Sequence, residues 1–249
     1  MTDPSPLHNR ARRLYEPGTG NWMLRSMEWT NWLAAMHRCL WIHGIPGAGK
    51  TILASWLIEE IKKHCDQLPR GNSTYAYYYC YFGHNQDESI PLLRWVIGQL
   101  SRQAESVPYR IYELYKRGGE PSLVELLESL EAVLQDFDSA YIVIDAVDES
   151  SPRSDLLKII RDLATDSRFS KVQVLVTSRE YVDIERVMEC ISVSVSMSNE
   201  LVEEDIRSFV RSSLRSNFKF QRWPTNLLTE VEDAVSTKAK GMYDIRTTL

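Results

Sequence analysis

The fold of this 249-residue chain is decided by the stretch Gly44-Ile45-Pro46-Gly47-Ala48-Gly49-Lys50-Thr51. It follows the short apolar run Cys39-Leu40-Trp41-Ile42-His43 and precedes a helical pattern over residues 51–63. Its three glycines let the backbone turn sharply and bring successive N–H groups close to an anion, because no Cβ stands in the way. A helix that begins directly after such a turn points the positive end of its dipole at the same anion. The stretch therefore predicts a phosphate-binding loop.

The last two residues of this loop have chemistry of their own. Lys50 is predicted to reach the β- and γ-phosphates of a nucleoside triphosphate, ATP or GTP, and the Thr51 hydroxyl is predicted to bind Mg²⁺. By chance the pattern G-x-x-x-x-G-K-[ST] arises in roughly one chain of this length in a hundred. The residues predicted to contact the nucleotide are Gly44, Ile45, Pro46, Gly47, Ala48, Gly49, Lys50, Thr51 and Ile52.

A second motif is the apolar run 140–145, which ends in Asp145. A buried strand that ends in a carboxylate delivers an acid to the magnesium ion in folds of this kind, so Asp145 is predicted to bind the metal with Thr51. Asp148 and Glu149 follow, and either is spaced to act as the base that polarises the attacking water. The spacing leaves the choice between these two carboxylates open.

Arg179 is the third candidate for catalysis. It follows the apolar run Val172-Gln173-Val174-Leu175-Val176-Thr177-Ser178, and polar groups at the carboxyl end of such a strand lie where ligands of α/β folds bind. It is predicted to sense the γ-phosphate, and the alternative is a surface arginine beside the next helix.

The order of strand and helix patterns predicts the fold class. Short β-branched or aromatic runs alternate with helical patterns, which favours an α/β protein with a five-stranded, mainly parallel sheet sandwiched by helices. The fifth run alternates between aliphatic residues and serines, so we expect it at the edge of the sheet. The five predicted strands cover residues 39–43, 75–82, 140–145, 172–178 and 191–195.

Helix-start signals and the change of pattern near the end define the remaining organisation. Ser122 and Glu125 form a capping box before a leucine stripe, and Ser151 with Pro152 is predicted to open another helix. Helices predicted over residues 202–215 and 225–240 have no strand between them. The predicted domains are a lead-in that covers the nucleotide site (1–38), a nucleotide-binding core (39–197) and the start of a helical subdomain (198–249).

Composition excludes several functional classes. The net charge is −5 and the 29 lysines and arginines form no block, which predicts no nucleic-acid partner. No apolar run approaches the ~20 residues that span a bilayer, so no membrane partner is predicted. The four cysteines lack the close pairing of a zinc site and suit a reducing compartment. We therefore expect a soluble, cytoplasmic protein.

Three segments together resemble the NACHT family, a group of P-loop NTPases of the STAND class that act in signal transduction. The version common in fungi, similar to the nephrocystin-like N-terminal domain, is the nearest pattern. The small residue Ala146 after the magnesium acid is typical of this family's form of the motif, whereas many other ATPases place Glu directly after Asp. Residues 18–24 also resemble the family's lead-in, which helps to cover the base and ribose, although an ordinary packing segment would look the same. The three segments are residues 40–51, 142–149 and 174–179.

The resemblance implies a signalling switch. Nucleotide exchange and slow hydrolysis would change how this module contacts neighbouring sensor or effector domains in a longer protein, and self-association would transmit the signal. Two alternatives from other classes remain open at this point. One is a phosphotransferase that passes phosphate to a small molecule, and the other is a scaffold that binds nucleotide without turnover.

Overall fold

A single parallel sheet forms the centre of the protein, whose computed structural model describes residues 3–68, 73–216, 218–220 and 222–239. The order across the sheet is β2-β3-β4-β1-β5, and every pairing is parallel. The predicted five-stranded sheet is confirmed, and so is the edge position of the fifth strand. The strands are β1 Cys39–His43, β2 Ser73–Tyr79, β3 Ser139–Asp145, β4 Val172–Ser178 and β5 Val193–Ser196.

Helices cover both faces of the sheet. One face packs against α5, α7, α8 and α9, and the other packs against α3, α4 and α10. Each helix of the described residues is too short or too polar to cross a bilayer. The helices are α1 Ser5–Arg13, α2 Asn21–Arg25, α3 Met27–Leu33, α4 Lys50–Gln67, α5 Ser89–Ser101, α6 Tyr109–Arg117, α7 Leu123–Leu134, α8 Ser154–Thr165, α9 Val182–Ile191, α10 Glu200–Ser216 and α11 Thr225–Ala239.

The two cores follow from the alternation of side chains along each strand. Cys39 and Trp41 of β1 lie on one face, whereas Leu40 and Ile42 lie on the other, and all four are buried. A parallel strand that is covered on both faces is mostly apolar, which explains the apolar stretches 39–42 in β1 and 174–176 in β4. Central strands of this kind hold the loops at their ends in fixed positions.

The register of the sheet brings three loops to one edge. His43 at the end of β1 pairs with Ser178 at the end of β4, and Tyr79 pairs with Asp145 at the end of β3. Because all of these strands run in the same direction, the phosphate loop and the segments after Asp145 and Ser178 start side by side. The predicted site residues therefore begin from a common edge.

The second strand differs from its prediction at both ends. It runs from Ser73 to Tyr79 rather than over residues 75–82, and Phe82 opens a short 3₁₀ turn. Its partner β3 ends at Asp145 opposite Tyr79, so residues beyond Cys80 have no strand to pair with. Tyr81 and Phe82, which were predicted as strand residues, lie beyond the strand and are exposed.

Two other predicted boundaries differ from those in the structure. The fifth strand was expected over residues 191–195, but Ile191 ends α9 and the Ser192 hydroxyl donates to the Met188 carbonyl, so the strand starts at Val193. The helix expected to open at Ser151 begins at Ser154, because residues 150–153 form a separate connection in which Ser150 Oγ donates to the Pro152 carbonyl.

The segment after the sheet is helical, as predicted. α10 and α11 match the helices expected over residues 202–215 and 225–240. The rest of the predicted subdomain, residues 240–249, lies outside the described residues.

The capping box of α7 is formed as predicted and supplies a test of local stability. The Ser122 N–H donates to Glu125 Oε2 at 2.8 Å, and the Glu125 N–H donates to Ser122 Oγ at 3.4 Å. Ser122→Ala should lower the free energy of unfolding by about 1 kcal/mol, because a helix N–H loses its acceptor. Chemical denaturation measures this change. Ser208→Ala, on an exposed part of α10, is the control and should change stability by less than about 0.5 kcal/mol.

Candidate nucleotide-binding site

The phosphate loop has the backbone that its glycines predict. Gly47 and Gly49 adopt left-handed conformations with φ of 77° and 83°, which side chains with a Cβ rarely adopt. α4 begins at Lys50, and its N-cap residue Gly49 provides no side-chain hydrogen bond. The first N–H groups of α4 are thus left for a ligand, which is the arrangement that binds phosphate at a helix N-terminus.

Lys50 lies across the loop. Its Nζ donates to the Gly44 carbonyl at 2.7 Å and to the Ile45 carbonyl at 2.9 Å. Partial burial lowers the pKa of Lys50, and the negative charges of Asp148 and Asp145 oppose that shift. The ammonium group is therefore held at the loop, in the field of the acidic residues that follow β3.

Asp145 is a buried carboxylate at the end of β3, with only 1% of its surface exposed. The Thr177 hydroxyl donates to its Oδ1 at 2.6 Å, and the Thr51 side chain forms a second hydrogen bond with it. Burial raises the pKa of Asp145 to about 6, although both hydroxyls lower it. A carboxylate and a hydroxyl are oxygen ligands of the kind that Mg²⁺ prefers, so Asp145 and Thr51 fit a magnesium ion.

The chain leaves β3 through an unusual residue. Ala146 has φ of 57° and ψ of 47°, a left-handed conformation that costs a residue with a Cβ roughly 1 kcal/mol. Its N–H donates to Thr177 Oγ1 at 2.9 Å, so the same threonine holds both Asp145 and the turn that follows. This turn directs the 3₁₀ segment Val147–Glu149 along the edge of the sheet.

Asp148 and Glu149 have different partners. Asp148 accepts hydrogen bonds from the Arg179 backbone N–H at 3.0 Å, and its Oδ2 lies 3.1 Å from Arg179 Nε in an ion pair. Within the described part of the chain, Glu149 accepts one hydrogen bond, at 3.2 Å from the Phe82 N–H. Burial raises the pKa of Glu149, and the neighbouring Asp148 charge raises it further. Asp148 is thus paired with Arg179. In the part of the chain that the structure describes, Glu149 keeps one carboxylate oxygen, Oε1, for another donor.

A cavity of about 840 Å³ unites most of the predicted site residues. Its wall includes residues 46–52 of the loop together with Asp148, Glu149 and Arg179. Gly44, Ile45 and Asp145 do not line it, and Asp145 is connected to it through Thr51 and Thr177. The volume is within the range of small-molecule sites.

The opposite wall was not predicted in detail. Lead-in residues between Arg10 and Trp22 line it, and so do side chains of the later helices, whose contribution was not predicted. An apolar stripe on a helix normally marks a core face, so the sequence carried no signal that this stripe also borders a cavity. The lining residues that were not predicted individually include Arg10, Arg13, Leu14, Tyr15, Glu16, Met197, Asp205, Phe209, Val210, Ser213, Leu214, Phe220 and Val235.

Comparison with solved structures supports the fold. The ORC2 protein of Aeropyrum pernix, solved as ADPNP–ADP complexes, has a TM-score of 0.54 and 14% identity, covering 94% of this chain and 61% of that chain. The ORC1 protein of Aeropyrum pernix in complex with DNA also has a TM-score of 0.54, with 13% identity, covering 98% of this chain and 58% of that chain. At such identities the likeness shows the shared fold alone.

Comparison of sequences is more specific. The vegetative incompatibility protein HET-E-1 of Podospora anserina is 26% identical over 237 residues, covering 89% of this chain but only 17% of that protein. A family model described as the N-terminal region of nephrocystin 3 matches residues 18–179, which is more than half of the chain. That match includes both the phosphate loop and the segment from Asp145 to Arg179, so the resemblance inferred from these motifs is confirmed and the chain belongs to the nephrocystin 3 N-terminal family.

Proposed function

We propose that this chain is a switch module that binds a nucleoside triphosphate, ATP or GTP, together with Mg²⁺ and hydrolyses it slowly. The observation that carries the proposal is the contact between the phosphate loop and the strand-end acid, where Thr51 is hydrogen-bonded to Asp145. Two distant parts of the sequence thereby supply the oxygen ligands that a magnesium–nucleotide complex needs. Lys50 lies in the same cavity wall.

The chain's own groups divide the work of the proposed hydrolysis. The loop N–H groups and Lys50 bind the phosphate oxygens, and Thr51 and Asp145 hold the metal. When bound, Mg²⁺ neutralises charge on the phosphate oxygens. Glu149 orients the attacking water and accepts its proton. Its raised pKa supports this assignment, because a carboxylate with a higher pKa is the stronger base.

Asp148 has a different role in this proposal. It holds Arg179 through both the backbone N–H and the guanidinium group, so it positions the arginine rather than the water. Arg179 is 40% exposed in its side chain, and it lines the cavity beside Lys50. A γ-phosphate would compete with Asp148 for the guanidinium group, which is how Arg179 would sense the bound nucleotide.

The signalling part of the proposal rests on the relatives. HET-E-1 extends far beyond the region that matches this chain, which supports a module that works next to other domains in a longer protein. The three-part division into residues 1–38, 39–197 and 198–249 is consistent with a cavity bordered by all three parts. We infer that neighbouring sensor or effector domains, or self-association, read the nucleotide state of this cavity.

Replacement of Lys50 tests nucleotide binding. Magnesium–nucleotide at about one hundred times its Kd should add about 2.7 kcal/mol to the stability of the wild type, because it binds only the folded state. Lys50→Ala should remove most of this gain, as seen in thermal unfolding with and without ligand. Lys63→Ala is the matched control, since this exposed lysine lies on the same helix and pairs only with Glu60. A wild type that gains nothing from either ATP or GTP would contradict the proposal.

Replacement of Asp145 tests the buried charge. The pKa of Asp145 is about 6 in the folded chain, against 3.8 as its ordinary value. As pH rises, the carboxyl group therefore loses its proton at a lower pH in the unfolded chain than in the folded chain. Wild-type stability should therefore fall relative to Asp145→Asn between about pH 4 and pH 6, and the difference should stay constant above that range. We expect the variant to be more stable by about 3 kcal/mol at pH 7 in EDTA.

The same variant should lose the magnesium-dependent part of nucleotide binding, because an amide is a weaker metal ligand than a carboxylate. Urea unfolding as a function of pH measures the first effect, and nucleotide titration with and without Mg²⁺ measures the second. Asp138→Asn is the control, since Asp138 is exposed just before the same strand. If Asp145→Asn is less stable than the wild type at pH 7, the charge is not buried as described.

The choice of base is tested by two amide variants. Glu149→Gln should reduce phosphate release by roughly 10²–10⁴-fold with nucleotide affinity little changed, because only proton acceptance is lost. Asp148→Asn should cost less than about tenfold, since its ion pair with the partly exposed Arg179 contributes only about 1 kcal/mol. The opposite ranking would assign the base to Asp148. Transfer of phosphate to a small acceptor in place of water would indicate a phosphotransferase, and binding without turnover would indicate a scaffold.

A further inference from the structure

Two polar contacts join the lead-in to helix α10 across the cavity. In the first, Asp205 Oδ2 accepts a hydrogen bond from the Gly20 N–H at 2.5 Å, and the Trp22 side chain donates to the same carboxylate. In the second, the Ser212 hydroxyl donates to Glu16 Oε1 at 2.6 Å. We call this pair of contacts the clasp. Its members are nearly two hundred residues apart in sequence, so only the fold brings them together.

The lead-in side of the clasp is held rigidly against the nucleotide-binding core. Gly20 has φ of 77°, and a Cβ at this position would lie 2.9 Å from Leu53 Cδ1 and 3.2 Å from the Trp56 ring. The Tyr15 ring stacks on Trp56 with centroids 5.6 Å apart and planes 9° from parallel. Leu53 and Trp56 belong to α4, the helix that begins at the phosphate loop. The lead-in can therefore approach α4 so closely only because residue 20 is glycine.

The α10 side of the clasp is connected to the phosphate loop by a different route. The Met197 N–H donates to the His43 carbonyl at 2.7 Å, which continues the pairing of β5 with β1 directly before Gly44. α10 then starts three residues later. The side chain of Met197 packs against Gly44, where an added Cβ would lie 2.9 Å from Met197 Cβ. The lead-in side of the clasp thus contacts α4, which begins at the phosphate loop. The α10 side follows Met197, which contacts Gly44 of the same loop.

Most of the clasp residues line the cavity. Glu16, Gly20 and Asp205 are in its wall together with the residues of the loop that would hold the phosphates, whereas Ser212 is not. The wall also contains the aromatic rings of Tyr15 and Trp22 and the apolar side chain of Leu214. Aromatic and apolar walls with a few fixed polar groups suit a flat base and its sugar rather than a phosphate chain.

The resemblance to the family implies that the lead-in covers the base and ribose. Within that arrangement, we propose that the clasp holds the lead-in against α10 and that Asp205 sets how long the nucleotide stays bound. This proposal rests on nucleotide binding as proposed above, and it concerns a different part of the ligand. Exchange of nucleotide requires the lead-in and α10 to separate, which breaks the hydrogen bonds of Asp205 first. Asp205 is a positioning residue, since it acts through the lead-in that it holds.

Dissociation rates test this role. Radiolabelled ATP or GTP with Mg²⁺ is bound to the whole chain and chased with excess unlabelled nucleotide. Asp205→Ala should speed release by roughly tenfold or more, because a charge-assisted hydrogen bond is lost. Asp205→Asn retains an acceptor for the Gly20 N–H and should give an intermediate rate. Ser212→Ala should speed release by a smaller factor of about twofold to fivefold, as expected for a neutral donor to a carboxylate.

A second readout separates positioning from loss of structure. Inorganic tripolyphosphate has no nucleoside, so its affinity should change by less than about twofold in all three variants. A variant that had merely lost its fold would lose tripolyphosphate binding as well. If the Asp205 variants do so, the release rate of Ser212→Ala, which leaves Asp205 in place, tests the proposal. Glu204→Gln is the matched control, since Glu204 is the exposed neighbour of Asp205 on α10, and its release rate should equal that of the wild type.

Failure of the two proposals would look different. If the wild type binds neither nucleotide, the proposed function is wrong. If the wild type binds nucleotide but Asp205→Ala and Ser212→Ala release it at the wild-type rate, the clasp proposal is overturned while nucleotide binding stands. Equal losses of nucleotide and tripolyphosphate affinity in the folded Ser212→Ala variant would also overturn it, because the clasp would then act on the phosphates.

Discussion

The candidate site is organised around one buried carboxylate at the meeting point of three chain segments. Asp145 has almost no contact with water, and two threonine hydroxyls from different parts of the chain hold it. A carboxylate in such surroundings resists ionisation unless a cation or further donors compensate, which is why its pKa rises. The fold tolerates this cost because Thr177 lies on the central strand next to it and Thr51 lies in the first turn of α4. A cost in folding free energy that is concentrated at one residue is typical of functional sites.

The chemistry that surrounds this carboxylate is divided between two walls. The motif residues build the wall that would hold phosphates and metal, and they lie on loops that the parallel register fixes at one edge. The lead-in and the later helices build the other wall, with aromatic, apolar and a few charged side chains. Because the second wall is formed by segments before and after the sheet, opening of the proposed clasp would leave the sheet intact. In the proposed function, this division separates how tightly the phosphates are held from how quickly the nucleotide leaves.

Sequence patterns predicted the first wall well and the second poorly, for a physical reason. Lys50, Thr51, Asp145 and Arg179 belong to motifs in which residue type and spacing are dictated by the ligand, so each could be placed before any coordinates. Ala146, which is left-handed in the structure, was also noticeable in the sequence as a small residue where other families have a larger one. By contrast, Asp205 is one acidic residue among several on α10, and only its distance to Gly20 distinguishes it from its neighbours.

The strand boundaries that were predicted wrongly share a cause, because each boundary depends on a neighbouring strand or helix. β2 ends where its neighbour ends, and β5 starts where α9 is closed by the Ser192 hydroxyl. Tyr81 and Phe82 look like strand residues by composition, but strand formation needs a second strand to pair with, and none reaches them. The edge position of β5 could be predicted because its alternation of aliphatic residues with serines indicates one exposed face.

The order of the sheet also affects how the protein is made. Along the chain β1 comes more than a hundred residues before β4 and β5, its two neighbours in the sheet. Until both have been synthesised, the apolar run that precedes the phosphate loop has neither of its native strand partners, and long-range parallel pairing is slow to form. An unpaired apolar strand is a site of aggregation, so this interval is when the nascent chain is most exposed to it.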